Sequence, residues 1–339
     1  MKIGIANDSP LAVDVLRRAL ALRPEHRVIW VARDGAEAIA SCVRATPDLL
    51  LMDLVMPGTD GVEATRRIMA ATPCAVLIVT VSVGAIAARV FEAMGHGAID
   101  AVDTPTLGRG DVQDSTAPFL KKVDTVAKLI GTRRFIPTPD AFGDTWIIAK
   151  RERLVALGAS AGGPAALSTV LSGLPVDFPA AIVIVQHVDE RFAQGMAEWL
   201  SRHCALPVRV AKEGDRPTAG NVLLAGTNDH LTFKTAERIG YTPEPRSQAY
   251  RPSVDVFFAS IGALWPGEAV GVLLTGMGRD GALGLKALRD KGCYTIAQDQ
   301  ATSTVYGMPK AAASLGAAVD VLPLERIAAK LADTFRQRP

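Results

Sequence analysis

Cysteine is scarce in this chain and histidine is almost as scarce: 339 residues hold four of the one and five of the other. Cys42, Cys74, Cys204 and Cys293 stand apart, without the close spacing that ligates zinc or cycles between thiol and disulfide, so neither zinc nor a disulfide framework is expected and a reducing compartment fits. Long apolar runs are missing too. No stretch reaches the ~18 uninterrupted residues of a membrane span, and Met1-Lys2-Ile3-Gly4-Ile5-Ala6-Asn7-Asp8 turns polar too early for a signal peptide, which predicts a cytoplasmic protein without membrane insertion. Neither sign of charge dominates. Thirty-seven basic against 35 acidic residues leave a net charge of +2, with no basic block, so no nucleic-acid partner is expected. What remains is ordinary globular composition, 49% hydrophobic and 21% charged, at a length that suggests two domains.

The first third alternates short apolar strands with helical periods. Strands are predicted at 2–6, 28–32, 48–52, 75–79 and 98–102, with helices at 10–22, 35–45, 61–71, 86–94 and 118–130. Such a ladder implies a doubly wound parallel sheet with its site at the carboxyl edge. That edge gathers oxygens: Asn7 and Asp8 after the first strand, Asp53 after the third, Thr80 at the end of the fourth. Hard oxygen ligands suit Mg²⁺ in phosphoryl transfer, with Asp53 as acceptor. Taken alone, Asp53 also reads as a loop aspartate before the turn Met56-Pro57-Gly58.

The second half begins with Leu154-Val155-Ala156-Leu157-Gly158-Ala159-Ser160-Ala161-Gly162-Gly163-Pro164, an apolar strand that runs through a glycine-bracketed serine into a helix. A hydroxyl on such a turn is exposed beside free amides and suits a nucleophile, although the same serine could be a helix cap. The spacing is not the G-x-G-x-x-G of a dinucleotide site. Activation needs a base and an orienting acid delivered by neighbouring strand ends. Ala181-Ile182-Val183-Ile184-Val185 delivers Gln186-His187, whereas His26, His96, His203 and His230 leave no comparable strand. Ala269-Val270-Gly271-Val272-Leu273-Leu274-Thr275 leads to Gly276-Met277-Gly278-Arg279-Asp280-Gly281. His187 also reads as an ordinary strand-end histidine, and Asp280 as the cap of the helix that follows it. The order serine, histidine, acid departs from the serine, acid, histidine order of α/β-hydrolases.

Residues 1–131 resemble a two-component receiver domain of flavodoxin-like fold, through Asp53-Leu54-Val55-Met56-Pro57-Gly58-Thr59-Asp60-Gly61. Residues 150–339 resemble the Rossmann-like catalytic domain of CheB-type protein-glutamate methylesterases. The matching motifs are Gly158-Ala159-Ser160-Ala161-Gly162-Gly163-Pro164, Gln186-His187, Tyr250-Arg251-Pro252-Ser253-Val254-Asp255 and the segment from Thr275 to Gly281. Between them, 132–149 mixes proline, glycine and charge and reads as a linker. Asn7-Asp8 with Asp103-Thr104-Pro105 resembles the WspF branch, from surface-sensing pathways.

The resemblance implies Ser160 as nucleophile, His187 as general base and Asp280 as orienting acid. The oxyanion donors would be the Met277 amide and the Ala161 amide, Ala161 standing where a hydroxyl residue is frequent. It implies hydrolysis of glutamate γ-methyl esters on a methylated chemoreceptor-type protein, and deamidation of glutamine there, with no cofactor for the hydrolysis. It further implies a CheA-like histidine kinase as phosphodonor and Mg²⁺ held by Asp8, Asp53 and the Val55 carbonyl. In such proteins the unphosphorylated receiver covers the catalytic site. The resemblance places the receiver switch at Thr80, Thr104 and Asn7; three positions depart from the receiver pattern, Asn7 replacing an acid, Ala101 an aromatic and Thr104 the lysine, so the coupling of phosphorylation to the rest of the domain would differ there. Asp189 stands where a proline is frequent. A non-catalytic adaptor that docks receptors is the alternative.

Overall fold

A computed structural model describes residues 1–81, 83, 86–105, 112–130 and 152–336; the segment 132–149, read above as a linker, lies outside them. The chain forms two compact units, Met1–Ile136 and Pro137–Pro339.

In the first unit, β1 (Lys2–Ala6), α1 (Pro10–Ala21), β2 (Arg27–Ala32), α2 (Gly35–Arg44), β3 (Leu49–Met52), α3 (Gly61–Ala71), β4 (Ala75–Thr80), α4 (Ala87–Gly95), β5 (Asp100–Asp103) and α5 (Val112–Ile130) follow one another. The sheet order is β2-β1-β3-β4-β5, every neighbour parallel. Polar side chains set the helix starts: Ser9 before Pro10, Asp34 and Asp60 each accept a bond from a first-turn amide of α1, α2 and α3. Ile3, Ile5, Leu16, Leu49, Leu51 and Phe119 are all but sealed from water in the core. The fifth strand, expected at 98–102, begins two residues later, and one helix boundary departs further. Helix α5 begins at Val112, not at Pro118, which lies inside it; proline suits a first turn by its fixed φ, but six residues ahead of it already coil here.

The second unit adds β6 (Arg153–Ala159), α6 (Gly163–Ser172), β7 (Ala181–Gln186), α7 (Glu190–His203), β8 (Val208–Val210), β9 (Val222–Leu224), β10 (His230–Phe233), β11 (Ile239–Thr242), α8 (Val254–Leu264), β12 (Glu268–Leu273), α9 (Ala282–Asp290), β13 (Tyr294–Gln298), α10 (Met308–Ser314), β14 (Asp320–Leu322) and α11 (Leu324–Arg336). Seven parallel strands run β14-β13-β12-β6-β7-β9-β8, and β10 and β11 form a separate antiparallel pair. Leu154 to Leu157 and Ile182 to Val185 are fully buried, the continuous apolar run of a strand covered on both faces. The chain builds outward from β6 through β7 on one side and returns through β12 on the other, so the order reverses beside β6. A crevice at that switch point is where an open α/β sheet binds its ligand. In the first sheet the switch falls between β1 and β3.

Candidate active site

Ser160 is the first residue past β6, and the ladder holds it from both sides. Its amide donates to the Thr275 carbonyl at 3.0 Å, and His187 donates its amide to the Ala159 carbonyl at 3.1 Å. Ala159 pairs with Gln186, so Ser160 and His187 occupy matching places one step beyond the paired strands. Buried Gln186 extends Nε2 to the Ser160 carbonyl at 2.9 Å, and the Gly163 amide donates to the same oxygen at 2.7 Å. The position that caps α6 is Gly162, at φ 75° and without a side-chain bond. The Ser160 hydroxyl is therefore not spent on capping.

Gly276 and Gly162 are required by space. A Cβ on Gly276 would lie 2.2 Å from the Met308 sulfur and 2.8 Å from the Ser160 Cβ; one on Gly162 would meet Thr304 Cβ at 2.5 Å. Gly276→Ala is expected to displace Ser160 and lower esterase turnover at least ~100-fold, since a 1 Å misplacement of a reacting group costs about that much. Near wild-type turnover in a folded Gly276→Ala protein would show that the turn yields without moving Ser160.

His187 Nε2 lies 2.7 Å from Asp280 Oδ2. Its other ring nitrogen, Nδ1, is buried without a partner; with Nε2 committed to the carboxylate, Nδ1 is the nitrogen left to act as base. Asp280 is 5% exposed and accepts three further bonds. Ser253 Oγ donates to Oδ1 at 2.7 Å, the Val254 amide to Oδ2 at 2.7 Å and the Asp255 amide to Oδ1 at 3.1 Å. Burial alone would raise its pKa, but the bonds from His187, Ser253 and Val254 outweigh it and hold the carboxyl below the ordinary value.

Asp280 does cap a helix, though not the one expected. Helix α9 begins after Gly281, which carries no side-chain cap, and Asp280 caps the N-terminus of α8 instead. Asp255, in the first turn of α8, returns the arrangement by accepting the Gly284 amide of α9 at 2.7 Å. The two helix N-termini thus exchange carboxylates, and their dipoles favour the ionised Asp280. A further link sits behind: the Ser253 amide donates to His230 Nδ1 at 3.1 Å, and His230 Nε2 lies 3.3 Å from the Pro245 carbonyl. In this fully buried histidine Nδ1 is thus the acceptor and Nε2 the donor, an assignment made from its partners.

Sequence reasoning passed over Ser253, Asp255, His230 and Tyr250. Three of them lie in the Tyr250 to Asp255 motif, a signal that was on the page without a role; nothing near His230 marked it. Asp189 finds its place as the cap of α7, accepting the Arg191 amide at 3.0 Å. Among the described residues the Ala161 and Met277 amides have no acceptor, which leaves them able to donate to an oxyanion.

At the edge of the first sheet, Asp53 is 7% exposed. Asn7 donates Nδ2 to its Oδ2 at 3.1 Å and the Val55 amide donates to Oδ1 at 3.3 Å. Burial pushes the Asp53 pKa up, bonds from Val55, Thr80 and Leu54 lower it in part, and the charge of Asp8 raises it further. Asn7 thus serves as a hydrogen-bond donor to Asp53. Thr104 donates its amide to the Thr80 carbonyl at 2.8 Å while its hydroxyl is buried without a partner. The charge of Asp8 beside Asp53 is the setting a divalent cation relieves, and the carboxylates fit Mg²⁺, with the Asn7 amide nitrogen already on one Asp53 oxygen. No helix among the described residues is long and apolar enough to cross a membrane.

Fold and site together describe a receiver-type sheet and a second α/β domain that carries a serine, a histidine and an aspartate on the turns leaving its central strands. The family described as CheB methylesterase matches residues 155–331, and the response regulator receiver domain matches residues 3–108. A protein-glutamate methylesterase/protein-glutamine glutaminase of Burkholderia thailandensis is 62% identical over 331 residues, covering 98% of this chain and 96% of the relative. One from Pseudomonas putida, of its group 3 operon, is 59% identical over 335 residues, covering 99% of each. Among solved structures, the CheB methylesterase catalytic domain of Thermotoga maritima aligns with a TM-score of 0.52 at 32% identity, over 55% of this chain and 100% of that one. The chain belongs to the CheB methylesterase family, with a receiver domain at its N-terminal side.

Proposed function

We propose that this protein hydrolyses glutamate γ-methyl esters on the helices of a chemoreceptor-type protein, and deamidates glutamines there, under the control of phosphorylation at Asp53. The observation that carries the reading is the 2.7 Å contact of His187 Nε2 with Asp280, which leaves Nδ1 for Ser160 at the adjoining strand end. His187 Nδ1 takes the Ser160 proton as Oγ attacks the ester carbonyl, and the oxyanion forms at the Ala161 and Met277 amides. The imidazolium then returns its proton to the departing methoxide, releasing methanol. Water, activated by the same nitrogen, cleaves the acyl-enzyme to the free carboxylate. An amide follows the same path with ammonia as leaving group.

In the receiver, Asp53 would take the phosphoryl group from a histidine kinase of the CheA kind, with Asp8, Asp53 and the Val55 carbonyl holding Mg²⁺. When bound there, Mg²⁺ would supply positive charge to offset that gathering on the phosphoryl oxygens. No lysine stands at the end of β5, so Thr80, Thr104 and Asn7 are the side chains through which the phosphoryl group would be sensed. The relatives' names are those of enzymes, and nothing favours the docking adaptor.

Removing residues 1–145 is expected to raise the rate of methanol release from methylated receptor membranes, and a phosphodonor to raise that of the full chain, because the phosphoryl group must favour the active arrangement by differential contacts. Equal rates for both forms, with no response to the phosphodonor, would discard control by the receiver while leaving the esterase reading untouched.

A further inference from the structure

The imidazole of His187 is held at its edge by Asp280, but a hydrogen bond at one nitrogen does not fix the plane of a ring. Tyr250 does. Its ring lies parallel to the imidazole, with centroids 4.4 Å apart and an interplanar angle of 3°. The residue stands three positions before Ser253, on the segment that enters α8, so the stretch that grips the Asp280 carboxylate through Ser253, Val254 and Asp255 also lays an aromatic face on the histidine. On its far side the phenol reaches the turn that carries the oxyanion amide: a Cβ placed on Gly278, at φ 85°, would lie 3.1 Å from Tyr250 Oη. Tyr250 is 37% exposed, so its ring stands between the imidazole and solvent.

We infer that Tyr250 is a positioning residue for His187, acting through its aromatic face rather than its hydroxyl. Two physical effects follow from a parallel ring at this distance. The stack restricts rotation of the imidazole about its bond to Cβ, so that Nδ1 keeps its direction through proton transfer. The π face also attracts the imidazolium that forms as Ser160 loses its proton, and it does so more strongly where water is excluded. Both effects act on the transition state more than on the bound ester, which places them in kcat. Neither requires the phenolic oxygen.

The inference rests on the esterase reading of the site, and the test separates the two. In the full-length protein, kcat and KM for methanol release from methylated receptor membranes are measured for Tyr250→Leu, Tyr250→Phe and Ser160→Ala, with melting curves for each. Tyr250→Leu is expected to lower kcat about tenfold with KM within about twofold, the size of a cation–π contact partly shielded from water. Tyr250→Phe is expected to keep kcat within about twofold of the parent, because the face is retained. Equal losses in the Phe and Leu variants would assign the effect to the hydroxyl and overturn the inference. So would an unchanged kcat in Tyr250→Leu, or a change confined to KM, which would make Tyr250 a wall for substrate only. Full activity in Ser160→Ala would instead strike the esterase reading itself, whatever the Tyr250 variants do.

Discussion

Methanol release by Ser160→Ala is expected to fall by about 10⁴- to 10⁶-fold in kcat, the range found when a triad nucleophile is removed and only the remaining donors assist attack by water. The structure makes the substitution a clean one. Ser160 is held through its backbone, by its amide on Thr275 and by Gly163 and Gln186 on its carbonyl, and none of these bonds uses the hydroxyl. The variant should therefore melt within about a degree of the parent, as a change that removes no packed or bonded group does. Turnover surviving at more than about a hundredth of the parent rate would exclude Ser160 as nucleophile.

Asp280→Asn is expected to cost about 10⁴-fold in kcat, and unlike the serine change it should also destabilise the fold. In the parent, both carboxylate oxygens accept, from His187, Ser253, Val254 and Asp255. An amide offers one oxygen and one NH₂, so at least one of these donors must face another donor. The penalty for a buried group left unpaired is about 1–3 kcal/mol. If the NH₂ faces Nε2, the imidazole must carry its proton on Nδ1 and can no longer accept one from Ser160. The acid side of the stability profile should change as well. The folded-state pKa of Asp280 lies below the ordinary value, so its contribution to stability is fully present above the unfolded carboxylate pKa of about 4 and is lost as pH falls through the lower, folded value. Denaturant midpoints measured between pH 7 and pH 3 should therefore fall less steeply in Asp280→Asn than in the parent. Identical slopes would mean that the carboxylate is not held in its charged form.

Much of this was legible before any coordinates, for reasons that can be traced to particular residues. Strands β6, β7 and β12 are unbroken apolar runs, and a run bounded by glycine or a polar residue announces where it ends. Ser160, His187 and Asp280 stand at or just beyond such ends, which is why they could be picked out. The start of α5 was misjudged because a proline is a strong local signal for a first turn, and six residues ahead of Pro118 coil without one. Ser253 and His230 were missed because their role is to hold another residue. A serine before a helix looks like any cap, and His230 sits in a short strand of the β10–β11 pair with nothing local to distinguish it.

The sequence by itself determined the two α/β ladders, the carboxyl edge of each sheet, and the placing of Ser160, His187 and Asp280 on the turns that leave three strands, because strand periodicity and turn residues act over a few positions. Tertiary structure alone decided which nitrogen of His187 is free, which helix Asp280 caps, how Asn7 turns its amide onto Asp53, and that Tyr250 lies flat on the imidazole. Each of these is a contact between residues distant in the chain, 93 positions apart for His187 and Asp280 and 46 for Asn7 and Asp53. Such contacts depend on the order in which strands join the sheet and on the angle at which α8 meets α9, and no local pattern of residues encodes either.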